Sequence, residues 1–218
     1  GRYGEDGVIV VTRSNKRAVL FNGQIRTRVL WLEDDINSGD RLMVVRNDYF
    51  WLKDHEELPI DLIANGDMIE VSRIGSRFTR YGQEFAEVDV ILSDFPDYPS
   101  FSVTILRSIL HNSRPSLPQS ETKELYHAIA KDYSDLRTKS AIHKAVISDP
   151  CYRALQVKFA YSLTCHKAQG GQWPAVILDQ GYLTEEMLNK DWLRWLYTAF
   201  TRAEKELYLL NFDDQFFT

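Results

Sequence analysis

The sequence predicts an α/β protein. A parallel-sheet layer, assembled from both ends of the chain, is interrupted by an inserted small β-barrel plus helices. Three observations carry this. Gly7-Val8-Ile9-Val10-Val11-Thr12 is a β-branched run with a polar turn and a helical pattern behind it, which is half of a βαβ unit. Similar apolar runs return near the C-terminus, at 157–163, 175–178 and 206–211. The stretch between has another character, with short runs separated by glycine turns and one segment that alternates with period two.

Taken in order, Ser14 can cap a helix on which Ala18, Phe21, Ile25 and Val29 recur at helical spacing. Asn37-Ser38-Gly39-Asp40 is a turn before a strand at 41–46, and Asn65-Gly66 is a turn before a strand at 67–74. Glu84-Phe85-Ala86-Glu87-Val88-Asp89-Val90 alternates, so one face is buried and the other wet. Pro96, Pro99, Pro115 and Pro118 punctuate a looser region. Amphipathic helices are expected at 121–133 and 136–147, ended by Asp149-Pro150. Thr184, with Glu185 and Glu186 behind it, is expected to cap a long helix whose buried side is Trp192, Trp195, Leu196, Ala199 and Phe200. The parallel layer is thus expected from residues 2–30 and 152–218, and the insertion from 31–151.

Bulk properties narrow the class. A chain of 218 residues, 44% hydrophobic and 26% charged, can bury a real core. Its net charge of -5 gives no global basic field, although a few cations can still be gathered in one groove. No apolar run is long enough to span a bilayer, and no signal-peptide pattern opens the chain. Two cysteines at unrelated spacing give no metal or disulfide framework, which fits a reducing, cytosolic setting. Gly1, without a methionine and close to a strand, reads as the start of an excised piece.

Two segments could carry chemistry. Thr164-Cys165-His166-Lys167-Ala168-Gln169-Gly170-Gly171-Gln172-Trp173 follows an apolar run, and ligands of open α/β sheets bind outside the carboxyl ends of strands. Glycines there allow close backbone approach. Thr164 and His166 offer donors to a phosphodiester, Lys167 a charge and Gln169 an amide; an ordinary polar turn is the alternative. Cys165 and His166, adjacent in an extended segment, point to opposite faces and do not form a nucleophilic dyad. The second segment, Tyr197-Thr198-Ala199-Phe200-Thr201-Arg202-Ala203, places one arginine at the end of an apolar helix. A solvated arginine is the common case, and Thr198 and Thr201 read as shaping the helix end.

Together these segments resemble motifs V and VI of superfamily 1 helicases in their RecD-like form, within the UvrD-like C-terminal family. Val11-Thr12-Arg13-Ser14-Asn15-Lys16 looks like motif IV, and the segments 39–49 and 65–67 look like the opening of the SH3-like barrel called domain 2B. The resemblance implies the second, RecA-like motor domain (2A) of an ATP-dependent DNA helicase acting on single-stranded DNA, 5′ to 3′ by family analogy. It implies Arg202 as an arginine finger on the γ-phosphate of ATP, the one catalytic residue. Nucleotide contacts would come from Arg13, Gly170, Gly171, Gln172 and Arg202. DNA contacts would come from Thr164, His166, Lys167, Gln169, Arg46 and Tyr49, while Lys16 and Arg17 can equally be the wet face of their helix. Arg41, Phe50 and Trp51 add cations and rings to the insertion, although aromatic side chains there can equally fill the barrel core. Family members commonly have glutamate where this chain has Gln172.

No G-x-x-x-x-G-K-[ST] loop occurs. ATP and Mg²⁺ are therefore expected to be bound mainly by an N-terminal RecA-like partner domain, and the fragment alone is expected to be inactive as an ATPase. Repair or recombination proteins are further expected partners. The competing expectation is a non-motor module, derived from the helicase fold, that binds nucleic acid or protein.

Overall fold

The computed structural model describes residues 2–55 and 57–217. The chain divides into two units, Gly1–Glu33 with Ala160–Thr218, and Asp34–Phe159.

The first unit is built on a four-stranded, all-parallel sheet in the order β7-β1-β8-β9. Its central strand is β1 (Val8–Thr12), where Ile9 and Val11 are fully buried. Each such side chain contributes about 1.5–3 kcal/mol. β7 (Ser162–Thr164) lies on one side of it, and β8 (Trp173–Asp179) and then β9 (Ala203–Leu210) on the other. Helix α1 (Asn15–Arg28) begins at Ser14, whose hydroxyl accepts from the Arg17 amide. Of the apolar set expected from spacing only Ala18 is buried; Phe21 and Ile25 are half-buried, Val29 is exposed, and Asn22 and Arg26 complete the buried face. The reason is strand edge chemistry. Asn22 donates to the Ser162 carbonyl at 2.9 Å and accepts from the Ser162 amide at 2.7 Å, satisfying the backbone of edge strand β7.

Helix α4 (Lys190–Phe200) joins β8 to β9. It is not capped by Thr184, which heads only a 3-10 turn at Glu185–Met187 and makes no side-chain cap bond. The cap is Asn189, accepting from the Asp191 and Trp192 amides. Trp192 and Ala199 are buried as expected, but Phe200 is exposed.

The second unit is a five-stranded antiparallel sheet in the order β5-β4-β3-β2-β6 with two helices. β2 (Arg41–Val44) pairs with β3 (Met68–Arg80), which pairs with β4 (Gln83–Leu92). β3 runs well past the expected residue 74. It ends in a tight hairpin where Tyr81 (φ 54) and Gly82 (φ 74) both take the left-handed conformation. β5 (Phe101–Leu106) emerges from the proline-punctuated region read as loose, because the prolines flank it and none interrupts it.

The run expected as one strand at 157–163 is two. β6 (Val157–Phe159) pairs antiparallel with β2, while β7 pairs parallel with β1. Leu155, just before β6, exchanges backbone bonds with β5, donating to Thr104 at 2.8 Å and accepting from Leu106 at 2.9 Å. One continuous segment therefore borders both edges of the sheet. Helices α2 (Gln119–Asp132) and α3 (Lys139–Ile147) complete the unit and bury Leu125, Ile129 and Val146. Among the described residues no helix is long and apolar enough to cross a membrane.

Candidate functional site

The segment from Thr164 to Trp173 crosses the sheet. Thr164 lies at the carboxyl end of β7, and Trp173 opens β8 at the amino end. Only the first half of the segment thus meets the expectation of a site beyond the strand carboxyl ends. In between, the Lys167 and Ala168 amides donate to the Thr164 carbonyl at 2.9 and 3.0 Å, forming a compact turn. His166 and Gln169 are exposed on it, and Lys167 is half-buried, its ammonium pushed down by burial. Gly170 holds φ +90. Gly171 has no room for a side chain: a Cβ would come within 2.4 Å of the Trp173 ring.

Arg202 sits where α4 ends and β9 begins. Its Nε–H donates to the Thr198 carbonyl, its Nη1–H to the Gly171 carbonyl and its Nη2–H to the Thr201 hydroxyl, each at 3.0 Å. The Trp173 amide returns a bond to the Arg202 carbonyl at 2.9 Å. The two segments singled out by sequence are therefore hydrogen-bonded to each other, and all three partners of the guanidinium are neutral. Gln172, exposed, donates from Nε2 to the Thr201 carbonyl at 3.5 Å.

Arg13 enters from the other end of the strands, just past β1. Its guanidinium lies over the Trp195 ring, 5.4 Å from the centroid. Arg13 Nη1 and Trp195 Nε1 are both buried donors with no hydrogen-bond partner. An orphaned buried donor costs about 1–3 kcal/mol. Trp195 and Thr198 are spaced to share one face of α4, and Arg202 lies just past its last turn. The two arginines thus start at opposite ends of the sheet and reach neighbouring turns of one helix.

Sequence reasoning placed Trp195 in the core and did not connect it with Arg13. The only available signal was its position two turns before Arg202. Cys165 is buried, with its thiol pushed up by burial and pulled down by Arg202, and it donates to the Trp195 carbonyl at 3.5 Å. His166 beside it is exposed, so the two form no dyad. Arg17 is not a wet-face residue. It grips the fully buried Asp179 with Nε at 2.5 Å and Nη2 at 2.6 Å, and Asn211 adds a third bond at 2.6 Å.

The second unit carries Arg46 and Tyr49, both exposed. Phe50 and Trp51 are tied into the fold. Trp51 donates to the Arg153 carbonyl at 2.8 Å, and Lys53 lies 4.4 Å from the Phe50 centroid.

Residues 159–210 match the family model of the UvrD-like helicase C-terminal domain. That match takes in both signature segments, 164–173 and 197–203. No curated protein matches the chain. Among solved structures, a Pif1 helicase from Bacteroides in complex with ADP-AlF3 and ssDNA is 10% identical, with TM-score 0.50 over 98% of this chain and 44% of that one. A Pif1 structure of DNA unwinding at forked dsDNA is 11% identical, with TM-score 0.50 over 95% of this chain and 40% of that one. Pif1 helicase from Candida albicans is 14% identical, with TM-score 0.47 over 96% of this chain and 46% of that one. The chain spans less than half the length of each. At TM-score 0.50 the likeness shows a shared fold.

Proposed function

We propose that this chain is the second motor lobe of an ATP-dependent superfamily 1 helicase or translocase, RecD-like, acting on single-stranded DNA. In this reading the parallel unit is the RecA-like domain and the antiparallel unit an SH3-like barrel insertion. The observation that carries it is the placement of Arg13 over Trp195 and of Arg202 on the Thr198 carbonyl, three residues further along α4, neither guanidinium held by a carboxylate among the described residues. The family match over 159–210 and the fold shared with the Pif1 helicase structures support it. Leu155, bonded to β5 immediately before β6 pairs with β2, supports the barrel.

Chemically, the arginines would receive the phosphates of ATP presented by a companion lobe. Arg13 already has an unspent donor. Arg202 would exchange bonds to neutral carbonyls for charge-assisted bonds to phosphate, which are roughly twice as strong. Its planar cation then offsets charge that develops during phosphoryl transfer. Gly170, Gly171 and Gln172 shape the approach. Thr164, His166, Lys167 and Gln169 would track the DNA backbone, with Arg46 and Tyr49 on the insertion. Among the described residues no group of three or more His, Cys, Asp or Glu side chains could hold a metal. Mg²⁺ would be held by the lobe bearing the phosphate-binding loop.

In the full-length protein, Arg202→Ala is expected to lower ATP turnover by about a thousandfold or more while nucleotide affinity changes only a few-fold. Unchanged turnover would overturn the finger role. One observation favours a second reading, a non-motor nucleic-acid-binding module. The Gln172 amide donates to the end of α4, which an ionised glutamate cannot do. Under that reading the full-length protein binds single strands and never hydrolyses ATP.

A further inference from the structure

The helices of the second unit carry no recognisable motif, yet they line the most chemically pointed cleft of that unit. It has a volume of about 560 Å³, within the range of sites that hold small molecules. Arg46 faces it from the end of β2, Lys123, Tyr126 and His127 from α2, His143 from α3, and Tyr152 from the segment before β6. Tyr126 contacts three of the other rings that line it. The phenol pairs with His143 Nδ1 at 3.0 Å, and the ring meets Tyr152 edge-on at 5.9 Å and His127 edge-on at 5.6 Å.

The charge is as telling as the rings. The whole chain is net -5, with 31 acidic against 26 basic side chains, but among the described residues no Asp or Glu lines this cleft. Two cations and two imidazoles on an acidic protein make a local positive focus. Rings held beside cations suit a ligand with a flat π-face at one end and an anion at the other.

We propose that this cleft holds one nucleotide unit of a single strand, its base against Tyr126 and Tyr152 and its phosphate on Arg46 and Lys123. The proposal rests on the reading of this chain as a single-strand-binding protein, and it names a docking point on the insertion distinct from the 164–173 turn.

The test is anisotropy of a fluorescein-labelled oligo-dT with the 218-residue chain across a salt series. Lys123 and His127 are exposed, so Lys123→Glu combined with His127→Ala leaves the core untouched. The double variant is expected to weaken binding at least tenfold and to reduce the salt slope by about one to two units. Tyr126→Phe keeps the ring and is expected to bind within twofold of the parent, whereas Tyr126→Leu is expected to lose about five- to tenfold. If the parent binds and these variants bind equally well, the cleft proposal is overturned while the motor-lobe reading stands. If the parent binds no oligonucleotide, both the cleft and the single-strand reading of this chain fall. Free dTMP should compete only weakly. Saturable dTMP binding that the double variant abolishes, with oligonucleotide affinity unaltered, would reassign the cleft to free nucleotide and overturn the strand assignment.

Discussion

Gly171 shows how one residue ties the candidate site together. Its carbonyl receives Arg202, and its missing side chain lets the Trp173 ring close beneath it. Gly171→Ala is expected to destabilise by about 1–3 kcal/mol, read as a lower urea midpoint, because the ring lies against the turn and is itself nearly buried. Gly170, with φ +90 but open space around it, should tolerate alanine better, at about 1 kcal/mol of backbone strain. The Arg17–Asp179 pair behaves differently. Asp179 has no solvent exposure, so Arg17→Ala leaves a buried carboxylate without its cation, held by the neutral Asn211 amide, and should cost about 3 kcal/mol. Arg17→Met with Asp179→Leu should recover much of that loss. Gly171 and Arg202 were legible in the sequence as a motif. Arg17 was not, because its partner lies on strand β8, 162 positions away.

Elements were legible where their signals were local. Ser14 caps α1, and the two helices at 119–132 and 139–147 fall close to where amphipathic spacing placed them. The start of α4 was misread because Thr184-Glu185-Glu186 is a good local cap pattern and Asn189-Lys190-Asp191 is a later one. Packing decides between them, and Asn189 wins with two amide bonds. Asn189→Ala is therefore expected to destabilise by about 1 kcal/mol, and Thr184→Ala by under about 0.5 kcal/mol, in paired thermal melts. The β3–β4 hairpin was hidden for a related reason. Tyr81 takes the left-handed conformation in place of the usual Asn or Asp, so no turn dipeptide announces it.

At the scale of the molecule, the parallel sheet needs both ends of the chain, since β1 is central and its neighbours β7 and β8 come from the far end. Residues 160–218 expressed alone therefore lack their central strand and are expected to remain unfolded. Residues 34–159 keep all five antiparallel strands and are expected to unfold cooperatively, as circular dichroism in urea would show. A non-cooperative 34–159 fragment would contradict the independence of that unit. The 218-residue chain is expected to show no ATP turnover with or without DNA, because no phosphate-binding loop cradles the nucleotide.

The sequence by itself determined the α/β character, the interrupted layout and the two segments on which the motor reading rests. Each depends on local pattern: β-branched runs, turn dipeptides, and a motif contained within a few residues. Only the tertiary structure decided that Arg13 reaches Trp195 while Arg202 reaches Thr198 on the same helix, that 157–163 divides between two sheets, and that a cation-lined aromatic cleft forms around Tyr126. Those are pairings between residues far apart along the chain, set by packing and by the need to satisfy buried polar groups.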